Sequence, residues 1–369
     1  MSKRSIIQAG QASSCYFRTS VTEPYRKALV QITEWCNLGC AHCFVSAGKY
    51  GVAMDLEAIR TKVVPQLAEA RVTRVTLTGG EPFAHPRFME VVRAFYDAGM
   101  GVGICTNATM TTNEQISELA ALRDVHLNVS LDGFSPDSHG KFRGNRESFH
   151  TTVATVRKFA EAGLLQGLLC TPNSLAEETE YAQLCCFALE CDAKYVLLNP
   201  LSSMGRGVKS QRKLASPADH MRRIFELTEP FQNDGLDLAH IRFPNEDKPL
   251  AGCEAGTIIY VFTPGEVTVC PYLVFAARTP QSQHADSEFI VGNIFEHSDI
   301  AQRLDDYRFH ERYTVGANAT CGACSLAGDC GKGCPAAVIS AGERIGAVDA
   351  EVCPVTPAPR RPLLPVVTR

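Results

Sequence analysis

Three cysteines near the start of the chain carry the strongest chemical signal. They stand in Trp35-Cys36-Asn37-Leu38-Gly39-Cys40-Ala41-His42-Cys43, a CxxxCxxC run. Three thiolates this close can hold three corners of a cubane iron–sulfur cluster. The absent fourth cysteine leaves one iron open to a ligand that is not protein. Two other readings of the same residues are a zinc site and three unrelated buried thiols. Zinc usually takes four ligands, or three that include a histidine. The run closely follows Leu29-Val30-Gln31-Ile32-Thr33, an apolar, β-branched stretch that reads as a strand. The cysteines would then lie on the loop at that strand's C-terminal end, where α/β barrels place their chemistry.

The elements that must position this loop follow from hydrophobic period. Strand character marks Leu29–Thr33, Val72–Thr78, Gly101–Thr106, Val125–Leu131, Leu164–Thr171 and Lys194–Asn199. Between them the period is helical: Phe88, Val91, Val92 and Phe95 share one face. Thr111 with Glu114 resembles a capping box, and Ser216-Pro217 an N-cap with a first-turn proline. Six β/α units in regular alternation imply a parallel sheet. Motifs cluster at its strand ends. The second strand ends in Gly79-Gly80-Glu81-Pro82, whose glycines let backbone approach a ligand closely. A plain strand-to-helix turn is the other reading of that motif. The third strand ends in Thr106-Asn107-Ala108 and the fourth in Ser130-Leu131-Asp132-Gly133. Taken alone, Ser130 and Asp132 read as turn residues.

The cysteine spacing together with Gly79-Gly80-Glu81-Pro82 resembles the radical S-adenosylmethionine (radical SAM) family. The resemblance implies a partial (β/α)6 TIM-like barrel, an α/β fold. It implies a 4Fe-4S cluster on Cys36, Cys40 and Cys43 whose open iron chelates SAM. SAM is then cleaved reductively, and the 5′-deoxyadenosyl radical takes a hydrogen atom from substrate. The protein binds, positions and excludes competing reactions. Further SAM contacts are implied at Gly79, Gly80, Glu81, Pro82, Thr106 and Asn107. Glu81 would supplement a contact to the SAM amino group. Ser130 and Asp132 resemble contacts to the carboxylate or ribose. Arg143, in His139-Gly140-Lys141-Phe142-Arg143-Gly144, can pair with a carboxylate, either that of SAM or one at the surface. His42 stands where relatives place an aromatic beside adenine. Ala108 departs from the Thr-Asn-Gly that relatives often carry.

Beyond residue 250 the alternation ends and cysteines take over. The spacing runs C-x11-G-x4-C through Cys253, Gly265 and Cys270. Then come C-x2-C-x5-C-x3-C through Cys321, Cys324, Cys330 and Cys334, and finally Cys353. Ile258–Phe262 and Glu266–Val269 read as a hairpin around Thr263-Pro264-Gly265. Structural zinc is one reading of the Cys-x2-Cys pair. The full spacing resembles the SPASM extension of radical SAM enzymes, which carries two auxiliary iron–sulfur clusters. By position, Cys321, Cys324, Cys330 and Cys353 would hold the distal cluster, and Cys253, Cys270 and Cys334 the nearer one. Two fully cysteine-ligated cubanes need eight ligands, and this spacing supplies seven. The nearer cluster would have an open iron, a ligand other than cysteine, or fewer irons. The domains expected are an N-terminal extension (1–27), the partial barrel (28–235), the SPASM module (236–355) and a Pro-rich tail (356–369).

Composition bounds the rest. The chain has 369 residues, 45% hydrophobic and 21% charged, with a net charge of −4. Nothing there suggests nucleic acid or an anionic membrane as partner. No apolar run approaches the ~20 residues that span a bilayer, and the first residues lack a signal-peptide core. A cytoplasmic protein is expected. Sixteen cysteines in such a chain suit metal or redox work rather than secreted disulfides. Six of them, Cys15, Cys105, Cys170, Cys185, Cys186 and Cys191, fall outside the motifs and read as structural thiols.

The implied function is that of a radical SAM oxidoreductase or maturase. It would complete a modification, oxidative in character, of a peptide or peptide-derived precursor. Its electrons would come from a flavodoxin or ferredoxin. Other classes are the same chemistry on a small metabolite (a sugar, nucleoside or tetrapyrrole) and a non-catalytic electron-transfer protein. About 28 residues before the first strand are too few for a leader-binding domain. Cys270 is followed by Pro271-Tyr272, which departs from sulfatase-maturing relatives. Cys270-Pro271-Tyr272-Leu273 and Gly333-Cys334-Pro335-Ala336 look more like the branch that handles peptide-derived cofactors and haem.

Overall fold

All six runs with strand character form strands, and they are consecutive neighbours in one parallel sheet. The structure, a computed structural model, describes residues 10–16 and 21–356. The strands are β1 (Arg26–Thr33), β2 (Val72–Gly79), β3 (Gly101–Thr106), β4 (Val125–Ser130), β5 (Leu165–Cys170) and β6 (Tyr195–Leu198). Four more follow: β7 (Asp237–His240), β8 (Ile258–Val261), β9 (Glu266–Thr268) and β10 (Ile290–Asn293). The order is β10-β9-β8-β1-β2-β3-β4-β5-β6-β7, an open sheet of ten.

The central strands are buried on both faces. Val75, Leu77, Val102, Ile104, Leu127, Val129, Leu168 and Val196 are all essentially inaccessible. In β2 and β4 these residues take every second position, and buried polar residues such as Thr76 and Asn128 occupy the other face. The helix Phe88–Asp97 buries Phe88, Val91, Val92 and Phe95, the face given by its period.

Two helix starts differ from the sequence reading. The capping box uses Thr112 and Gln115, one residue later than Thr111 and Glu114. Thr112 Oγ1 accepts from the Gln115 amide, and Gln115 Oε1 accepts from the Thr112 amide, so both orphan donors are satisfied. Pro217 is itself the N-cap of the helix Ala218–Thr228, and Ser216 Oγ is buried without a partner.

The parallel run is longer than six. β7 pairs with β6 and β8 pairs with β1, both in parallel. β7 reads Asp-Leu-Ala-His and has no β-branched residue to announce it. The hairpin expected at 258–269 forms as β8 and β9, turning at Gly265 with φ +100°. It extends the barrel sheet past β1, because Lys27–Val30 supply a free ladder edge to Ile258–Val261.

Residues 10–16 run back against the last third. Ala12 forms a parallel bridge with Leu250. The tail from 357 onward lies outside the described residues. Among the described residues no helix is long and apolar enough to cross a membrane.

Candidate functional site

The loop after β1 is held on every side by backbone bonds, which is what a rigid set of thiols requires. The Glu34 amide donates to Val52 O (2.8 Å) and the Cys36 amide to Gly48 O (3.0 Å). From the chain after β4, Phe142 O accepts from the Ala41 amide (2.9 Å) and Arg143 O from the Gly39 amide (3.2 Å). Arg206 closes the other side. Its Nε donates to Cys40 O (2.8 Å) and its Nη1 to Ala47 O (2.6 Å). Nothing in the local sequence marked Arg206, because it lies 159 and 166 residues from the two carbonyls it pins.

Gly80 and Gly205 are required by contact. A Cβ on Gly80 would lie 2.1 Å from Trp35 O and 2.9 Å from the Cys36 Cβ. A Cβ on Gly205 would lie 2.3 Å from Phe44 O. Gly79 and Gly80 therefore let β2 come against the thiol loop, with the Gly80 amide on Thr33 O (2.8 Å) and the Glu81 amide on Trp35 O (2.9 Å). Gly80→Ala is expected to cost about 1–3 kcal/mol, the usual overpacking range. It should also loosen iron held at Cys36, checked by unfolding midpoint and by iron retained after gel filtration. Wild-type values for both would show that the loop yields freely.

The three thiols form one small buried group with Leu38 and Ala47. Burial pushes the Cys36 thiol up to about 12, with neighbouring Cys40, Glu81 and Cys43 adding to the rise. Such a thiol gives up its proton to a metal rather than to water. Three donors face the sulfurs: the Leu38 amide lies 3.4 Å and Asn107 Nδ2 4.0 Å from Cys36 Sγ, and Arg143 Nη1 3.8 Å from Cys40 Sγ. Among the described residues no group of three or more His, Cys, Asp or Glu closes around a single metal ion. A cubane makes no such demand, since each thiolate binds a different iron. The donor set fits a cluster of that kind.

Glu81 is 1% exposed. Its carboxylate accepts from Thr106 Oγ1 (2.7 Å), the Asn107 amide (2.8 Å) and the Phe83 amide (3.2 Å). It is thus occupied in fastening β2 to the end of β3, and Pro82 opens a single 3-10 turn after it. Asn107 in turn donates to Asn37 Oδ1 (3.1 Å), and Asn37 to Thr109 (2.8 Å). Ala108 sits at φ +60°, a left-handed position that suits glycine better.

Asp132 and Arg143 meet each other. Arg143 Nε donates to Asp132 Oδ2 at 2.7 Å, and the Thr171 amide donates to Oδ1 at 2.8 Å. Burial alone would raise the Asp132 carboxyl, but Arg143, His42 and His139 outweigh it and hold it below its ordinary value. Burial likewise works against the Arg143 charge, and Asp132 and Cys40 more than offset it. Among the described residues, Arg143 Nη2 and the Ser130 hydroxyl have no protein hydrogen-bond partner. His42 stacks on Phe142 with centroids 4.7 Å apart and 10° between planes. Its Nδ1 is buried with no partner. Burial and the cations Arg143 and Arg206 push it down to about 4 against the pull of Asp132, so it is neutral at pH 7. Orphaned polar atoms beside the thiols are places for ligand to bind.

A cleft of about 290 Å³ opens along one flank of the loop, lined by Glu34, Phe44, Ser46, Phe262, Phe275 and Arg278 among others. It lies between the thiol loop and the β8–β9 hairpin.

Three of the C-terminal cysteines come close together. Cys253, Cys270 and Cys334 are mutually within electrostatic range. Cys270 and Cys334 precede the helices Pro271–Ala277 and Pro335–Ser340, which pack together. Burial pushes the Cys270 thiol up to about 12. Among the other C-terminal cysteines, amides donate to sulfur: Leu326 to Cys324, Lys332 to Cys330 and Leu250 to Cys330, each at 3.4 Å. Asn318 Nδ2 reaches Cys321 Sγ at 3.3 Å. Cys353 lies on the turn after Asp349, its amide bonded to Asp349 O (3.0 Å).

Comparison with known proteins agrees with this geometry. Residues 30–177 match the radical SAM superfamily. The chain is 27% identical over 335 residues to the mycofactocin maturase MftC of Mycobacterium tuberculosis, covering 87% of this chain and 81% of that protein. It is 26% identical over 314 residues to the AdoMet-dependent heme synthase of Methanosarcina barkeri, covering 78% and 86%. Its fold is similar to that of Streptococcus suis SuiB bound to the precursor peptide SuiA, with a TM-score of 0.68 and 17% identity, covering 88% of this chain and 76% of that one.

Proposed function

Because the chain belongs to the radical SAM superfamily and is an enzyme of it, we propose that it modifies a peptide precursor by hydrogen-atom abstraction. The carrying observation is the buried thiol triplet at the β1 end, walled by Asp132–Arg143 and flanked by an open cleft. Relatives named as a mycofactocin maturase and a bacteriocin biosynthesis protein support the peptide, as does a similar fold bound to one.

Cys36, Cys40 and Cys43 would hold the 4Fe-4S cluster. A cluster held there supplies an open iron and one electron for cleaving S-adenosylmethionine to the radical that takes a substrate hydrogen. The residues around it do the rest. Asp132 fixes the Arg143 guanidinium through Nε, leaving Nη2 for the carboxylate of S-adenosylmethionine, with Ser130 beside it. Neutral His42, backed by Phe142, offers a flat wall for the adenine. Glu81 and Asn107 keep the strand ends in register instead of touching ligand. The cleft beside Phe44 and Arg278 admits substrate, and its volume suits one or two side chains of a peptide.

Cys253, Cys270 and Cys334 would hold a nearer auxiliary cluster, and Cys321, Cys324, Cys330 and Cys353 a distal one. Both suit a net two-electron oxidation, in which the substrate radical gives up an electron to the protein. A flavodoxin or ferredoxin is the electron donor proposed.

The test is product mass. The anaerobically reconstituted, reduced enzyme is given S-adenosylmethionine and either candidate precursor peptides or candidate tetrapyrroles. Expected are 5′-deoxyadenosine and a peptide lighter by two hydrogens or by a lost carboxyl group. An unchanged peptide alongside a modified tetrapyrrole would replace this reading with the haem-related one, which the heme synthase likeness favours.

A further inference from the structure

The C-terminal spacing leaves the nearer auxiliary cluster one ligand short. The structure brings an eighth cysteine to that place from the other end of the chain. The Cys15 thiol donates to Gly252 O (3.3 Å) and Gly333 O (3.7 Å). Those are the residues immediately before Cys253 and Cys334. The Cys15 side chain also lies within interaction range of Cys334. Cys15 therefore sits in the packed core against the backbone that leads into both Cys253 and Cys334.

Its segment is clamped in position. The Ala12 amide donates to Pro249 O (2.9 Å), and Ala12 O accepts from the Ala251 amide (3.0 Å). Ser14 Oγ donates to Ala251 O (2.9 Å), and Ser13 O accepts from the Arg242 amide (2.7 Å). Tyr16 stacks on Tyr272, two residues past Cys270, with centroids 4.8 Å apart. A thiol needed only for packing requires none of this; a metal ligand requires its backbone fixed to a fraction of an ångström.

We propose that Cys15 is the fourth thiolate ligand of the nearer auxiliary cluster, completing the set Cys253, Cys270 and Cys334. The proposal rests on the auxiliary-cluster reading given above. Ligation replaces the Cys15 S–H bond by an S–Fe bond and releases one proton to solvent, with no electron moved. Its consequence is chemical. With four cysteines the nearer cluster has no open iron, so it accepts electrons and does not bind substrate.

The experiment compares reconstituted wild type, Cys15→Ala, Cys15→Ser and the Cys253, Cys270, Cys334 triple alanine variant. Iron is counted, EPR spectra are taken after mild oxidation, and 13C-cyanide is added with S-adenosylmethionine covering the first cluster. Wild type should hold roughly 12 irons per chain and the triple variant roughly 8. Cys15→Ala should shed about one iron on mild oxidation, give the EPR signal of a three-iron cluster and bind cyanide where wild type does not. Cys15→Ser keeps an oxygen donor, so it should retain the iron with a shifted spectrum even if the alanine variant folds poorly. Iron lost from the triple variant, with both Cys15 variants matching wild type, overturns the Cys15 ligation alone. A triple variant that keeps all its iron overturns the auxiliary cluster and this ligation with it.

Discussion

Replacing Cys36, Cys40 and Cys43 together by alanine should remove about four irons per chain and abolish formation of 5′-deoxyadenosine. Among the described residues these three are the only thiols in their group, and the nitrogens that face them, Asn107 Nδ2 and Arg143 Nη1, cannot substitute as ligands. An arginine has no lone pair to offer. The fold should survive. The loop is held by bonds from Gly48, Val52, Phe142, Arg143 and Arg206, and none of these uses a cysteine side chain. Loss of activity with retained cooperative unfolding would separate a chemical role from a structural one. As a control, alanine at exposed Cys186 should change neither iron nor activity. Residual 5′-deoxyadenosine above background in the triple variant would show that the cluster sits elsewhere.

Asp349→Ala should be among the most damaging single substitutions for stability, at about 3–5 kcal/mol. Arg242 is 1% exposed, and Asp349 takes both its terminal nitrogens at 2.8 Å each. Glu351 adds a 2.6 Å contact but is itself 42% exposed, so it screens the charge poorly once alone. Burial acts against the Arg242 charge, and Asp349 and then Glu351 reverse it. The same Asp349 accepts from the Cys334 amide at 2.9 Å, and Arg242 Nη1 also donates to Ser14 O at 3.0 Å. One ion pair thus anchors the turn before Cys334 and the segment carrying Cys15. Its loss should lower the denaturation midpoint and the iron held at the nearer auxiliary site together. The double variant Arg242→Met, Asp349→Leu strands no charge, so it should recover most of the stability. A wild-type midpoint for Asp349→Ala would mean that Glu351 alone satisfies the guanidinium.

Several features were legible from residue spacing because they are local. The triplet is legible since its cysteines all lie within eight positions. The strands are legible since apolar, largely β-branched residues recur at every second position, as in Val102 and Ile104 or Val125, Leu127 and Val129. Helix faces follow from a fixed period, as Phe88, Val91, Val92 and Phe95 demonstrate. Where short-range chemistry has two equivalent solutions, the reading slipped by one residue: Thr111-Glu114 and Thr112-Gln115 are both sensible capping pairs, and packing selects the second.

The tertiary structure decided how polar groups are shared. Asp132 and Arg143 look like two separate ligand contacts in the sequence, yet a buried carboxylate beside a buried guanidinium must pair. Glu81 follows the same rule, because three protein donors satisfy it before any ligand arrives. Arg206 holds the cysteine loop from far along the chain, and no local pattern encodes that distance. Cys15 is the clearest case. In the sequence it is one thiol without a spacing partner, since spacing relates only residues that are near in the chain. Folding brings residues 10–16 along Pro249–Gly252 and sets its sulfur against Cys334, because sheet-like pairing and a buried ion pair join segments more than 200 residues apart.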